Sequence, residues 1–179
     1  MTDQLEKLIV SRLREVPDFP KPGILFQDIT PVLADPECFA AVVRAMAAPH
    51  VADASGASVD VVVGIEARGF ILGAPVALAL GAAFVPMRKS GKLPWRTVAA
   101  SYDLEYGTAE VELHEDALSA GRRVLIVDDV LATGGTAEAA VGLVQGMGGE
   151  VVGFAALVEL GFLGGRSRLA VPVRALATV

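Results

Sequence analysis

The run Val124-Leu125-Ile126-Val127-Asp128-Asp129-Val130-Leu131-Ala132-Thr133-Gly134-Gly135-Thr136 has the residue types to do chemistry. Four aliphatic residues lead into two adjacent carboxylates, then Ala-Thr-Gly-Gly-Thr, then an Ala-rich helical pattern. That order predicts a buried parallel strand whose end meets a ligand, with a loop holding an anion at a helix N-terminus. The glycines let successive N–H groups turn toward one phosphate, and Thr133 and Thr136 add hydroxyl donors. Asp128 and Asp129 cannot bind that phosphate, because like charges repel. They suit ribose hydroxyls, a metal ion, or positive charge developing on a sugar carbon. A sugar phosphate with an electron-poor carbon satisfies all three parts, and the loop at 132–136 is expected to be exposed.

Other phosphate loops do not fit. Gly91-Lys92 is followed by Leu93, and Gly146-Met147-Gly148-Gly149 is followed by Glu150-Val151, so neither common nucleotide fingerprint is complete. Gly64-Ile65-Glu66-Ala67-Arg68-Gly69-Phe70 lies between a predicted strand and helix. An Arg at a helix N-terminus opposes the helix dipole unless an anion sits between them, which makes Arg68 a candidate anion ligand. The alternative is a surface pair with Glu66. Arg88-Lys89-Ser90-Gly91-Lys92-Leu93-Pro94 puts three cations around a glycine, either as a solvated face or as a loop gripping a polyanion. Ala100-Ser101-Tyr102-Asp103-Leu104-Glu105-Tyr106-Gly107 has, by its own residues, the character of a hairpin turn. Phe19-Pro20-Lys21-Pro22-Gly23-Ile24-Leu25-Phe26-Gln27-Asp28 fixes an extended backbone before an aromatic. It is either a platform on which a flat heterocycle stacks or a segment whose Phe26 fills the core.

The elements that must position these residues follow from periodicity. Helices are expected over 3–15, 36–48, 69–80 and 136–147, and strands over 24–28, 59–64, 81–88, 122–128 and 150–158. Residues 97–113 should form two antiparallel strands, and a last strand lies near 171–176. Strands alternating with helices over 59–158 imply an α/β fold with a mainly parallel, twisted sheet flanked by helices. Ligands then bind at the carboxyl ends of the strands, where the loops 64–68, 88–92 and 128–136 emerge. The N-terminal segment and the tail, which break the repeat, are expected to cap that edge.

Composition sets limits. The 179 residues suit a single domain over 1–179 with a core that needs no disulfide. Apolar residues make up 53%, yet charges interrupt every run short of a membrane span. The first residues lack the pattern of a signal peptide, and the single Cys38, in a predicted helix, is expected to be an inert buried thiol. These features point to the cytoplasm, without a membrane partner. A net charge of −6, from 15 basic and 21 acidic residues, argues against nucleic acid as a partner. The local cluster Arg88, Lys89, Lys92 and Arg96 suits a small polyanion instead. The apolar excess implies surface covered by another subunit.

Taken in order, these motifs resemble those of the type I phosphoribosyltransferases over roughly residues 8–170, and most closely the adenine-using branch. The resemblance implies that fold, with residues 1–34 and loop segments forming a small hood over the site. It implies transfer of phosphoribose from phosphoribosyl diphosphate (PRPP) to N9 of adenine, giving AMP and diphosphate, in a homodimer. Mg²⁺ would accompany PRPP and be held mainly by it, with no metal-ligating set on the chain. Glu105, Asp128 and Asp129 would be catalytic, with Glu105 handling a ring-nitrogen proton. Ala132, Thr133, Gly134, Gly135 and Thr136 would bind the 5′-phosphate, Arg68, Arg88 and Lys92 the diphosphate, and Ile24, Phe26 and Gln27 the adenine. Gln27 departs from the Arg that relatives commonly carry there. Two other outcomes stay open: a phosphoribosyltransferase for another purine, and a non-catalytic PRPP-binding regulator. Regulators of this kind usually carry a DNA-binding module, for which the residues before Pro17 are too few.

Overall fold

A computed structural model describes residues 2–51, 59–103 and 108–179. Five parallel strands form its frame: β3 (Val61–Ile65), β4 (Ala83–Lys89), β7 (Arg123–Leu131), β8 (Glu150–Glu159) and β9 (Val173–Thr178). The hairpin strands β5 (Thr97–Asp103) and β6 (Thr108–His114) add to one edge antiparallel, giving the order β5-β6-β4-β3-β7-β8-β9. The mainly parallel α/β sheet expected from the alternation is therefore present.

Alternation along the central strands divides the core in two, because successive side chains point to opposite faces. Val62, Leu125 and Val127 join one apolar cluster, and Val61, Val63, Val124 and Ile126 the other. The first face is covered by α1 (Thr2–Arg12), α2 (Thr30–Ala34), α3 (Pro36–Ala47) and α4 (Arg68–Leu80). The second is covered by α5 (Gly135–Gly146) and the inward residues Val111 and Leu113 of the hairpin. Burial on both faces explains why β3 and β7 are continuous aliphatic runs rather than alternating ones.

Local chemistry sets the helix ends. Asp35 caps α3 by accepting from Glu37 N and Cys38 N at 3.1 and 3.0 Å, and Pro36 takes the first helical position. The same carboxylate accepts from Arg12 Nε and Nη2 at 3.1 and 2.9 Å, tying α1 to α3. Cys38 is buried at 1% exposure, and desolvation pushes its thiol up, consistent with an inert residue. No helix among the described residues is long and apolar enough to cross a membrane.

The structure differs from the expected elements in four places. Helix α1 stops at Arg12, and Arg14–Pro17 become β1, paired antiparallel with β2 (Leu25–Asp28). The short α2 has no apolar periodicity long enough to announce it. Strand β7 runs on through both acids to Leu131, because it pairs with β8 along its whole length. Only part of the tail, the turn at Gly165–Arg168, packs at the sheet edge, and Val173–Thr178 enter the sheet as β9, parallel to β8.

Candidate functional site

Asp128 and Asp129 lie near the carboxyl end of β7, at the centre of the sheet. Residues 124–127 are fully buried, so the acids emerge where the two cores end. Asp129 is 5% exposed, and its N–H donates to Asp128 Oδ1 at 2.8 Å. Burial foremost, and then the charge of Asp129, push the Asp128 carboxyl well above its ordinary range. Arg68 Nε lies 2.7 Å from Asp129 Oδ2, and this buried oxygen accepts no hydrogen bond among the described residues.

Arg68 opens α4, after a cis Glu66–Ala67 peptide. The helix can start this close to the acids because its second residue is Gly69. A Cβ there would lie 2.8 Å from Val127 O and 3.1 Å from Asp128 Oδ1. The Arg68 guanidinium also sits 5.1 Å from the centre of the Phe26 ring. Glu66 does not pair with Arg68. It accepts from Arg88 Nε and Nη2 at 3.1 and 3.3 Å, and from Lys89 N at 3.0 Å. Burial would raise the Glu66 carboxyl, but the Lys89 N–H and the Arg88 guanidinium outweigh it and hold the group below its ordinary value.

A cleft of about 360 Å³ joins these groups. Arg68, Asp128, Asp129, Ala132 and Thr136 line it, with Ile24, Leu25, Phe26 and Gln27 from β2 and the residue before it. Of the expected diphosphate ligands, Arg68 lines the cleft, whereas Arg88 and Lys92 do not. Lys89 lines it in their place. Arg88 is occupied by Glu66 and by Lys92 O, to which its Nη1 donates at 3.0 Å. Val130 and Leu160, at the ends of β7 and β8, and Tyr102 from β5 also line the cleft. Lys89, Tyr102 and Val130 fall within the motifs read from sequence without being singled out as ligands, and Leu160 falls in none of them. Leu160 follows a strand end directly, so the rule that singled out 64–68, 88–92 and 128–136 would also have reached it. Phe26 packs edge-to-face against Phe19, with ring centres 5.1 Å apart, and lines the cleft rather than the core. Glu105 lies outside the described residues.

Beside the cleft, residues 131–137 enclose a smaller hollow of about 80 Å³, which Asp128 also lines. Gly134 takes φ +86° and precedes α5, whose first turn has no side-chain cap. Its N–H groups therefore remain available to an anion. The expectation that this loop is exposed holds at Thr133 but fails at Gly134 and Gly135, which are buried. The 3₁₀ turn at Gly165–Arg168 packs behind them, so a Cβ on Gly134 would lie 2.5 Å from Gly165 O. Arg166, bound to both carboxylate oxygens of Glu159 and to Val173 O, anchors that turn to the sheet. Arg168 binds Glu138 in the first turn of α5.

Known proteins resemble this chain in sequence and in fold. The phosphoribosyl transferase domain model matches residues 32–175. The chain is 57% identical over 180 residues to an adenine phosphoribosyltransferase of Streptomyces coelicolor, covering 98% of this chain and 97% of that one. The crystal structure of adenine phosphoribosyltransferase from Rhodothermus marinus superposes with a TM-score of 0.92 at 51% identity, covering 99% of each chain. The Saccharomyces cerevisiae enzyme, solved with an imino-altritol bisphosphate and adenine, superposes at 0.88 with 39% identity, over 97% of this chain and 99% of that one.

Proposed function

Because the chain belongs to the phosphoribosyltransferase family, among the adenine phosphoribosyltransferases, we propose that its cleft transfers phosphoribose from PRPP to N9 of adenine. The products are AMP and diphosphate. One observation carries the reading: a carboxylate pair and an aromatic wall share one cleft, and an uncapped helix N-terminus with its φ-positive glycine lines the hollow beside it, with Asp128, Ala132 and Thr136 common to both. Each part suits a different piece of the substrates, namely ribose, 5′-phosphate and purine.

The chemistry is a displacement at C1′. Diphosphate leaves with the bonding electron pair as the purine nitrogen attacks from the opposite face, through an oxocarbenium-like state. Positioning and preorganised charge supply most of the acceleration. Asp128 and Asp129 bind the ribose hydroxyls and favour positive charge on the sugar. Ala132, Thr133, Gly134, Gly135 and Thr136 hold the 5′-phosphate through backbone N–H and hydroxyl donors. Arg68 holds the diphosphate, with Arg88 and Lys92 contributing from the end of β4 and the loop that follows it. Ile24, Phe26 and Gln27 bind adenine, and residues 1–34 contribute to a hood over it through this cleft-lining segment. Gln27 keeps hydrogen bonding to the base without a charge.

Mg²⁺ is the proposed cofactor. The ion would be carried mainly by the oxygens of PRPP, in keeping with the few protein ligands that Mg²⁺ usually takes at phosphate sites. When bound it would offset diphosphate charge, with Asp128 and Asp129, which line the cleft, as carboxylate donors toward it. The assay that tests the function offers purified protein PRPP, Mg²⁺ and, separately, adenine, hypoxanthine, guanine and xanthine. AMP should form from adenine in preference to any other product. Turnover of another purine instead, or PRPP binding with no turnover, would replace this reading.

Glu105 is proposed to relay the proton adenine exchanges as its N9 bonds to C1′. Glu105→Gln should lower turnover at least about tenfold, less than the ~10²–10⁴ of full general acid–base help because Gln keeps the shape and some hydrogen bonding, with PRPP affinity nearly unchanged. Unchanged turnover would leave Glu105 as a hairpin residue. A homodimer is also proposed, supported by exposed apolar side chains on one helix, Ile71 and Leu78 of α4 at 45% and 83%. Light scattering should return twice the 18.5 kDa chain mass at micromolar concentration, and the monomer mass would exclude it. The lone buried Cys38 supports a cytoplasmic setting, which cell fractionation would check.

A further inference from the structure

Glu112 is a buried carboxylate that the proposed reaction does not use. It sits on β6 between the inward residues Val111 and Leu113, so its side chain points to the other face of the hairpin. On an edge hairpin that face ordinarily meets water, yet Glu112 is only 5% exposed, because residues 91–97 fold over it. Its Oε1 accepts from Lys92 N and Leu93 N, both at 3.1 Å, and its Oε2 accepts from Thr97 Oγ1 at 3.2 Å. No cation pairs with it among the described residues. Burying a charge against neutral donors alone is costly, and the donors must be held in place to offset it. Burial would raise this carboxyl; the backbone N–H groups of Leu93, Gly91 and Lys92 and the Thr97 hydroxyl outweigh that and keep it ionised.

The loop held by Glu112 leads by a short path to the cleft. The Lys92 carbonyl, fixed by this loop conformation, accepts from Arg88 Nη1 at 3.0 Å. Arg88, opposite Glu112 in the β4–β6 register, reaches back to both oxygens of Glu66. Glu66 in turn accepts from Lys89 N, and Lys89 lines the cleft. The bonds run without a gap from Glu112 to the cationic wall.

We propose that Glu112 is a positioning residue for the diphosphate end of the site: it presets the 88–93 loop and thereby sets the affinity for PRPP. This rests on the function proposed above. Glu112 touches no substrate, so its removal acts on binding of the diphosphate and leaves adenine binding alone.

The test compares Glu112→Ala and Glu112→Gln with the unaltered protein by steady-state kinetics, thermal melting, and calorimetric titration with Mg²⁺ and inorganic diphosphate. Glu112→Ala should raise the KM for PRPP and the Kd for diphosphate together by about tenfold, as expected for loss of preset hydrogen bonds. Glu112→Gln keeps one carbonyl acceptor for the loop and should raise both only a few fold. The KM for adenine and kcat should stay within about twofold in either variant. A lower melting temperature with PRPP and diphosphate affinities unchanged would overturn the proposal and leave Glu112 a purely structural residue. If the alanine variant does not fold, the glutamine variant decides alone. Absence of AMP from the unaltered protein would count against the proposed function, while the diphosphate titration would still decide the role of Glu112.

Discussion

Asp128→Asn is expected to lower kcat/KM for AMP formation by about 10²-fold or more while raising the stability of the ligand-free protein. The first effect follows from removing a preorganised charge beside the carbon that becomes cationic, a loss of order 10²–10³ in other enzymes. On the free-energy scale, 10²-fold is about 2.7 kcal/mol of transition-state stabilisation. The second follows from the strain of the free site. Burial and the neighbouring Asp129 raise the Asp128 carboxyl well above its unfolded value. A carboxyl raised on folding favours the folded state only when protonated. Its contribution is full below the unfolded value and is lost as pH rises through the folded one. Near neutral pH Asp128 therefore weighs against folding, and a neutral Asn of the same shape relieves it. Asn can still accept the Asp129 N–H that Asp128 Oδ1 accepts at 2.8 Å. Thermal melts at pH 5 and pH 8, beside steady-state kinetics, separate the two effects. The variant should gain more stability at the higher pH. Activity and stability falling together would mean that Asp128 holds the strand end rather than the sugar.

That opposition of signs explains what was legible in the sequence. Residues 124–136 announced themselves because an aliphatic strand that ends in two acids is poor economy for a fold and good chemistry for a ligand. The same reasoning found Arg68, which opposes the dipole of α4, and it found the sheet, whose central strands are buried on both faces. What stayed hidden depends on contacts distant in sequence. Nothing near Gly165 says that its backbone packs behind Gly134, and nothing near Glu112 says that residues 91–97 cover it. Arg88 and Lys92 drew notice as cations, yet Arg88 is already engaged by Glu66, and the cleft receives Lys89. Three cations in five residues leave that distinction open, since only the twist of β4 and the position of Glu66 decide which side chain faces the ligand.

Gly134→Val should raise the KM for PRPP by about 10²-fold and, unlike a change in an exposed loop, should also destabilise the protein. Two constraints meet at this residue. Its φ of +86° is one that branched side chains avoid. Its Cβ would stand 2.5 Å from Gly165 O, backbone against backbone, with no flexible side-chain tip to yield. Relief requires the loop to move away from Gly165, which turns the N–H groups of the first turn of α5 from the position they share around the hollow. Losing two charge-assisted hydrogen bonds to a phosphate, at roughly 1.5 kcal/mol each, gives the 10²-fold figure. The displaced turn at Gly165–Arg168 is tied to β8 through Arg166 and Glu159, so the disturbance reaches the sheet and lowers the melting temperature. The reciprocal substitution Gly165→Ala supplies the control. Its Cβ would stand 2.1 Å from Ala132 O, although Gly165 itself lies behind the hollow and does not line it. If loop position governs phosphate binding, Gly165→Ala should raise the KM for PRPP as Gly134→Val does, with the KM for adenine little changed in both. Normal PRPP affinity in a folded Gly134→Val protein would mean that the 5′-phosphate binds elsewhere, and the role assigned to residues 132–136 would fall with it.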